Sequence, residues 1–251
     1  MQITTTAAVI TGGASGLGEA TARHFAAQGA KVTLFDRDAT RGAQVAEEIG
    51  GFFVETDVTD EGSVQNAIQT AQDKMGGLTA AVNCAGVAIA AKTTGRDGAH
   101  PLPAWQTTID VNLTGTFNIA RFAATAMASN APEPDGARGV IINTASIAAF
   151  DGQKGQVAYA ASKGGIVGMT LPMARDLAKD GIRVMTIAPG IFATPMLKGL
   201  PQEVQDSLAA EVTNPARLGD PGEYARLAAF VVEMGYLNGE VIRLDGALRM
   251  R

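Results

Sequence analysis

Cysteine and histidine are the scarcest chemistry-bearing residues in this sequence, one of the first and two of the second. A lone Cys84 excludes an internal disulfide and fits a reducing compartment. His24 and His100 are too few for a histidine-rich metal site, and Cys84 has no cysteine partner, so no protein-held metal is expected. No apolar run approaches the ~20 residues that span a bilayer, so no membrane association is expected. Only six residues precede the first apolar strand. That leaves no room for a signal or transit peptide, and the expected location is cytoplasmic. Positive charge is also short: 20 Lys and Arg stand against 25 Asp and Glu, for a net charge of −5. A pI near 5.1 gives no electrostatic footprint for nucleic acid or an anionic membrane, and no nucleic-acid partner is expected.

What is present suits one globular unit. The chain has 251 residues, 46% hydrophobic and 18% charged, enough to bury a substantial core and too apolar for disorder. Short β-branched runs alternate with Ala-rich helical stretches: Ala7–Ile10, Lys31–Phe35, Phe52–Val54, Leu78–Val82, Val140–Asn143, Arg183–Ile187 and Val241–Leu244 read as strands. Helices are expected between them, including a long one over 105–129 and another running from about Val157 to Lys179 with Pro172 inside it, where a kink is expected. That alternation predicts an α/β, single-domain, doubly wound Rossmann fold with about seven parallel strands and helices on both faces. Two polar Gly/Pro segments, 90–103 and 130–139, interrupt the pattern; the first is long enough to be functional or mobile. His100, within it, reads as a solvated side chain.

The first strand runs into Thr11-Gly12-Gly13-Ala14-Ser15-Gly16-Leu17-Gly18. Gly12, Gly16 and Gly18 let the backbone turn sharply and approach a ligand, and the following helix offers free N–H groups to a pyrophosphate. About 20 residues on, Asp36 ends the second strand where a ribose-binding carboxylate is expected. Its charge would repel a 2′-phosphate. A turn-starting aspartate is the alternative, and Arg37 beside it complicates the choice. Asp57 is a candidate for the adenine amino group or a plain turn residue. Asn83-Cys84-Ala85-Gly86 closes the fourth strand with small residues that suit a cofactor ribose. The glycine loop, Asp36, Asn83, Ser146 and Pro189 all fall at the carboxyl ends of strands, where open α/β sheets bind ligands.

Ser146 stands just past the fifth strand. Tyr159 and Lys163, four apart on a helix, share one face. A phenol ionises near pH ~10, and a cation beside it lowers that value. Such a tyrosine passes a proton to or from an alcohol, with a serine hydroxyl holding the substrate oxygen. Asn112, unfavourable in mid-helix, calls for a local reason, such as a kink holding a water.

Together TGGASGLG at 11–18, NCAG at 83–86, Asn112, Ser146, YAASK at 159–163 and PG at 189–190 resemble the short-chain dehydrogenase/reductase family over essentially the whole chain. The family usually has NNAG, so Cys84 is a departure. The resemblance implies Tyr159 as acid/base, Lys163 as the group that lowers its pKa and binds the nicotinamide ribose, Ser146 as the oxygen-positioning hydroxyl and Asn112 as the holder of a relay water. It also implies an NAD site formed by Gly12, Ser15, Gly16, Leu17, Gly18, Asp36, Asp57, Val58, Asn83, Cys84, Ala85, Gly86, Pro189, Gly190, Phe192 and Thr194. Gln156 is a weaker candidate for substrate contact. The implied reaction is NAD-dependent interconversion of a secondary alcohol and a ketone. A narrower resemblance over 139–250 points to the subgroup acting on 3-hydroxyacyl-CoA, with hydroxysteroids or simple alcohols as alternatives and a non-enzymatic NAD-sensing role as the remaining one. Apolar Phe117, Ile119, Phe122, Ile166, Val167 and Met169 on the two long helices, with a sticky C-terminal strand, lead to an expected homotetramer.

Overall fold

The computed structural model describes residues 1–96, 98–198 and 201–250. Strand β1 (Ala7–Thr11) is buried throughout and turns through the glycine loop into α1 (Gly16–Ala27), which ends before a left-handed Gly29, φ +91°. Then come β2 (Lys31–Asp36), α2 (Ala39–Glu48), β3 (Phe52–Glu55) and α3 (Glu61–Met75). Both of these helices open on an aspartate cap: Asp38 accepts from the Arg41 N–H at 2.9 Å and Asp60 from the Ser63 N–H at 2.6 Å. After β4 (Ala80–Asn83), the polar segment 90–103 carries a small antiparallel hairpin, β5 (Thr94–Gly95) and β6 (Gly98–Ala99). Asp97 of that segment lies outside the described residues. The Ala91 N–H donates to the Gly155 carbonyl at 2.9 Å, which ties the segment to the loop that precedes Val157. His100 is not solvated as expected. It is half-buried, edge-on to Trp105 at 6.4 Å, with Nδ1 3.0 Å from the Pro101 carbonyl.

The long helix expected over 105–129 begins earlier and is interrupted: α4 (Leu102–Ile109) passes through a π turn at Asp110–Thr114 into α5 (Gly115–Ala128). Asn112 sits in that turn. Next are β7 (Gly139–Thr144), the short α6 (Ala148–Asp151) and α7 (Val157–Asp176), which stays helical through Pro172. β8 (Ile182–Pro189), α8 (Pro195–Lys198), α9 (Gln202–Ala210), α10 (Pro221–Glu233) and β9 (Val241–Leu244) complete the chain.

Seven strands pair in the order β3-β2-β1-β4-β7-β8-β9, each pair parallel. Successive side chains of a strand point to opposite faces. Ile10 and Leu34 accordingly join Phe25, Val45 and Tyr224 on one side, while Val9 and Phe35 join Ile68, Ile119 and Ile141 on the other. Ile119 and Ile166 are therefore core residues, not the outward apolar surface expected of them. The sheet order reverses at β1 and β4, and the cleft opens there, at the carboxyl ends.

Candidate active site

The end of β1 organises the cofactor side of this cleft. Gly12 has φ +64°, and a Cβ placed on it would stand 3.0 Å from the Ala85 nitrogen. A Cβ on Gly18 would fall 2.1 Å from the Gly12 carbonyl oxygen. No side chain fits at either position, so the loop, the start of α1 and the Cys84–Ala85 turn lie backbone against backbone. Thr11 locks that contact: its Oγ1 accepts the N–H groups of both Cys84 and Ala85 at 3.0 Å. Thr11 was not among the expected site residues, because a buried threonine at a strand end carries no signal of its own.

Asp36 stands at the end of β2. Its Oδ2 accepts from the Ala14 N–H and its Oδ1 from the Asp38 N–H, each at 3.0 Å. Each carboxylate oxygen keeps a second lone-pair site for a ribose hydroxyl. Arg37 is exposed and also lines the cleft, with Nε 3.7 Å from Asp57 Oδ2. Asp57 lines the cleft and is also a turn residue, its Oδ1 accepting from the Thr59 N–H and hydroxyl at 2.9 and 2.7 Å. Those bonds, Thr59's hydroxyl first, hold its carboxyl below the ordinary range.

Across the cleft, Ser146 follows β7, and its Oγ accepts from the Ala148 N–H at 3.1 Å. Tyr159 and Lys163 project from the first turns of α7 beside it. Lys163 is buried, donates from Nζ to the Thr144 carbonyl at 2.7 Å, and lies 5.8 Å from the centre of the Tyr159 ring. Burial brings its ammonium down to about 8, with Cys84 acting the other way. Burial also pushes the Tyr159 phenol up, against the favourable effect of Ser146. The ammonium lies over the ring face and spends a donor on a carbonyl, and desolvation dominates in both groups. In the protein alone, Tyr159 is a proton donor.

Two expected site residues do not line the cleft. Asn83 is buried in the sheet, where its Nδ2 donates to Asn143 Oδ1 on the paired strand at 2.9 Å. Asn112 is buried as well. Its Oδ1 accepts from the Val87 N–H at 2.8 Å, and its Nδ2 donates to the Val87 carbonyl at 2.9 Å and to Ser162 Oγ at 3.1 Å. The side chain expected to hold a water is committed to stitching the turn after β4 to α7. The other expected cofactor residues (Gly12, Ser15, Gly16, Leu17, Gly18, Val58, Cys84, Ala85, Gly86, Pro189, Gly190, Phe192 and Thr194) line one cleft of about 670 Å³. Gln156 is on its rim, where its Oε1 accepts the Gln153 N–H at 3.0 Å. Ile147, Leu208 and Met250 add apolar lining to the same cleft. Sequence reasoning missed these three, since isolated apolar residues just before a short helix, on a distant helix and in the tail share no spacing.

A glycine cradle facing an acid at the second strand, with a Ser–Tyr–Lys wall opposite, is the geometry of a dinucleotide-dependent oxidoreductase. Comparison with known proteins agrees. Residues 6–205 match the short chain dehydrogenase family, and the chain belongs to that family. It is 56% identical over 248 residues to 3-hydroxyacyl-CoA dehydrogenase type-2 of Rattus norvegicus, covering 97% of this chain and 95% of that one. The Homo sapiens protein of the same name matches at the same identity and coverage. The crystal structure of 3-hydroxyacyl-CoA dehydrogenase type-2 from Mycobacterium avium superimposes with a TM-score of 0.94 at 45% identity, over 98% of this chain and 96% of that one. The protein is thus an oxidoreductase of the class that uses a nicotinamide cofactor. The cleft fits such a group: the glycine loop and the N-terminal turn of α1 line it, as does Asp36, whose carboxylate oxygens keep acceptor sites to spare.

Proposed function

We propose that this enzyme is an NAD-dependent dehydrogenase that interconverts 3-hydroxyacyl-CoA and 3-ketoacyl-CoA. The observation that carries the reading is the convergence of Ser146, Tyr159 and Lys163 in one cleft with the glycine cradle and the apolar side chains of Ile147, Leu208 and Met250. When bound, the nicotinamide supplies the acceptor or donor of hydride. The protein supplies position and proton transfer. Ser146 Oγ holds the substrate oxygen. The Tyr159 phenolic oxygen gives its proton to that oxygen in reduction and takes it back in oxidation. Lys163 holds positive charge beside the phenol and would hold the cofactor ribose. Asp36 presents its remaining lone pairs to the adenosine ribose hydroxyls, and its charge disfavours a 2′-phosphate. The apolar lining of Ile147, Leu208 and Met250 receives the acyl chain. The free thiol of Cys84 accords with a reducing, cytoplasmic setting.

Two measurements test the reading. Tyr159→Phe should retain cofactor binding and lose about 10²–10⁴-fold in kcat, the usual worth of a positioned acid/base; near-normal turnover would remove Tyr159 from that role. Acetoacetyl-CoA should be reduced with a higher kcat/KM than steroid ketones or simple ketones, and with NADH in preference to NADPH. A steroid ketone that outperforms the thioester replaces the substrate assignment, and equal use of NADPH means Asp36 does not select the cofactor.

We propose further that the enzyme works as a homotetramer. Phe117 on α5 and Leu171 on α7 remain 50% and 44% exposed, and Cβ positions on Gly164 and Gly168 of α7 meet nothing within 4 Å. A flat, partly apolar helix face of this kind suits a two-fold contact with a second copy. Phe230, Met234 and Tyr236 form a second exposed group at the end of α10.

A further inference from the structure

Tyr224 on α10 heads the large side chains that are fully buried, and nothing in the reaction so far uses it. Its hydroxyl stands 2.6 Å from Thr144 Oγ1, and Cys84 Sγ lies 3.7 Å from both hydroxyl oxygens. A buried tyrosine ordinarily finds some partner for its hydroxyl. The partner here is the residue whose backbone carbonyl accepts the Lys163 ammonium at 2.7 Å. Thr144 is also weakly held by the sheet. It is the last residue of β7, paired with Ile187 of β8 on one side, whereas the β4 ladder on the other side stops one residue earlier, at Asn83 and Asn143. The side-chain bond to Tyr224 supplies the second anchor that the ladder lacks.

We propose that Tyr224 is a positioning residue for Lys163: through Thr144 it fixes the carbonyl that holds the ammonium beside Tyr159. The inference rests on the reading of Tyr159 and Lys163 as the proton-transfer pair. The groups facing Lys163 are Tyr159 on its own helix, Cys84 after β4, the Thr144 carbonyl on β7, with Tyr224 of α10 behind it, and Asn112, whose Oδ1 shares the space over Gly86 with Nζ. None of them is a carboxylate. The ammonium therefore depends on a well-placed carbonyl to stay protonated in a desolvated site. When that carbonyl loosens, Lys163 deprotonates more readily, the Tyr159 phenolate loses support, and its ionisation moves to higher pH.

The test is Tyr224→Phe, which removes one oxygen and keeps the ring. Alcohol oxidation should lose about tenfold in kcat, equivalent to about 1.4 kcal/mol, with KM for the alcohol changed less than about twofold. The acid limb of the kcat profile should move up by roughly half a pH unit to one unit, in line with the loss of one hydrogen bond near a charged group. Thr144→Val should reproduce this shift, and the double variant should be no worse than either single one, because both cut the same chain. Thr144→Ser, which keeps the hydroxyl, should restore the wild-type profile. A merely structural tyrosine would lower Tm and leave the pH limb in place. An unmoved limb in Tyr224→Phe overturns the proposal, as do additive losses in the double variant; if Tyr224→Phe does not fold, an unmoved limb in Thr144→Val overturns it instead. Lys163→Met, measured alongside, separates the two levels. If that variant is active, the assignment of the proton-transfer pair fails; if it is inactive while Tyr224→Phe is unaltered, only the positioning role fails.

Discussion

Lys163 is enclosed with a carbonyl for company and no carboxylate, and the fold bears a cost for keeping it there. Its ionisation falls from an ordinary 10.5 to about 8 because burial disfavours the charged form. At about 1.4 kcal/mol per pH unit, that amounts to about 3 kcal/mol of lost stability at neutral pH. The unfolded chain binds the proton more tightly, so this cost is constant below about pH 8 and is relieved as pH rises toward 10.5. Any stability advantage of Lys163→Met over the wild type should therefore shrink by about 3 kcal/mol across that window, read from urea midpoints; a constant gap would contradict the burial argument. The same residue marks the limit of sequence reading at this scale. The spacing of Tyr159 and Lys163 places both on one helix face, but only the packed structure shows that the ammonium lies over the ring and bonds to Thr144.

At the scale of elements, the helix starts are written locally and the helix interruptions are not. α10 opens with Asp220-Pro221-Gly222-Glu223, a reciprocal cap in which Asp220 accepts from the Gly222 N–H at 2.7 Å and Glu223 accepts from the Asp220 N–H at 2.8 Å. Arg217 bonds to both Glu223 oxygens, and these contacts hold its carboxyl at about 2. Because the folded value lies below the unfolded one, the stability Glu223 contributes is complete above about pH 4.5 and is lost as pH falls toward 2. Glu223→Gln should flatten that part of the pH–stability curve, while Asp220→Ala should cost about 1 kcal/mol at neutral pH. Chemical denaturation of both variants at pH 3 and pH 7 checks the pair, and a Glu223→Gln curve as steep as the wild type's would count against it. The π turn at Asn112 has no comparable local signature beyond an asparagine in the wrong place. Its cause is tertiary: the amide must reach Val87 and Ser162 together.

For the whole molecule, the proposed homotetramer rests on the exposed apolar side chains of α5, α7 and the end of α10. Two distinct contacts, each closing on a two-fold axis, generate a tetramer of D2 symmetry. Sedimentation at micromolar protein should give a species near four times the 25.8 kDa chain. A species at the chain mass removes the proposal, and one at twice that mass leaves a single contact. Phe117→Glu should shift the distribution toward smaller species, because a buried charge without a partner opposes association.

Strand and helix order, the glycine cradle, Asp36 and the Ser146, Tyr159, Lys163 set were legible because each depends on neighbours in sequence. Hydrophobic periodicity fixes the alternation, glycine is required wherever backbones touch, and four-residue spacing puts two side chains on one face. The tertiary structure alone decided what depends on distant segments meeting. It turned Asn83 inward to Asn143, committed Asn112 to Val87, buried Ile119 and Ile166, and brought Met250 and Leu208 to the cleft. It also set Tyr224 behind Thr144, 80 positions away in sequence. No local pattern encodes such contacts: they follow from which faces of the sheet and helices are left to cover one another once the strands have paired.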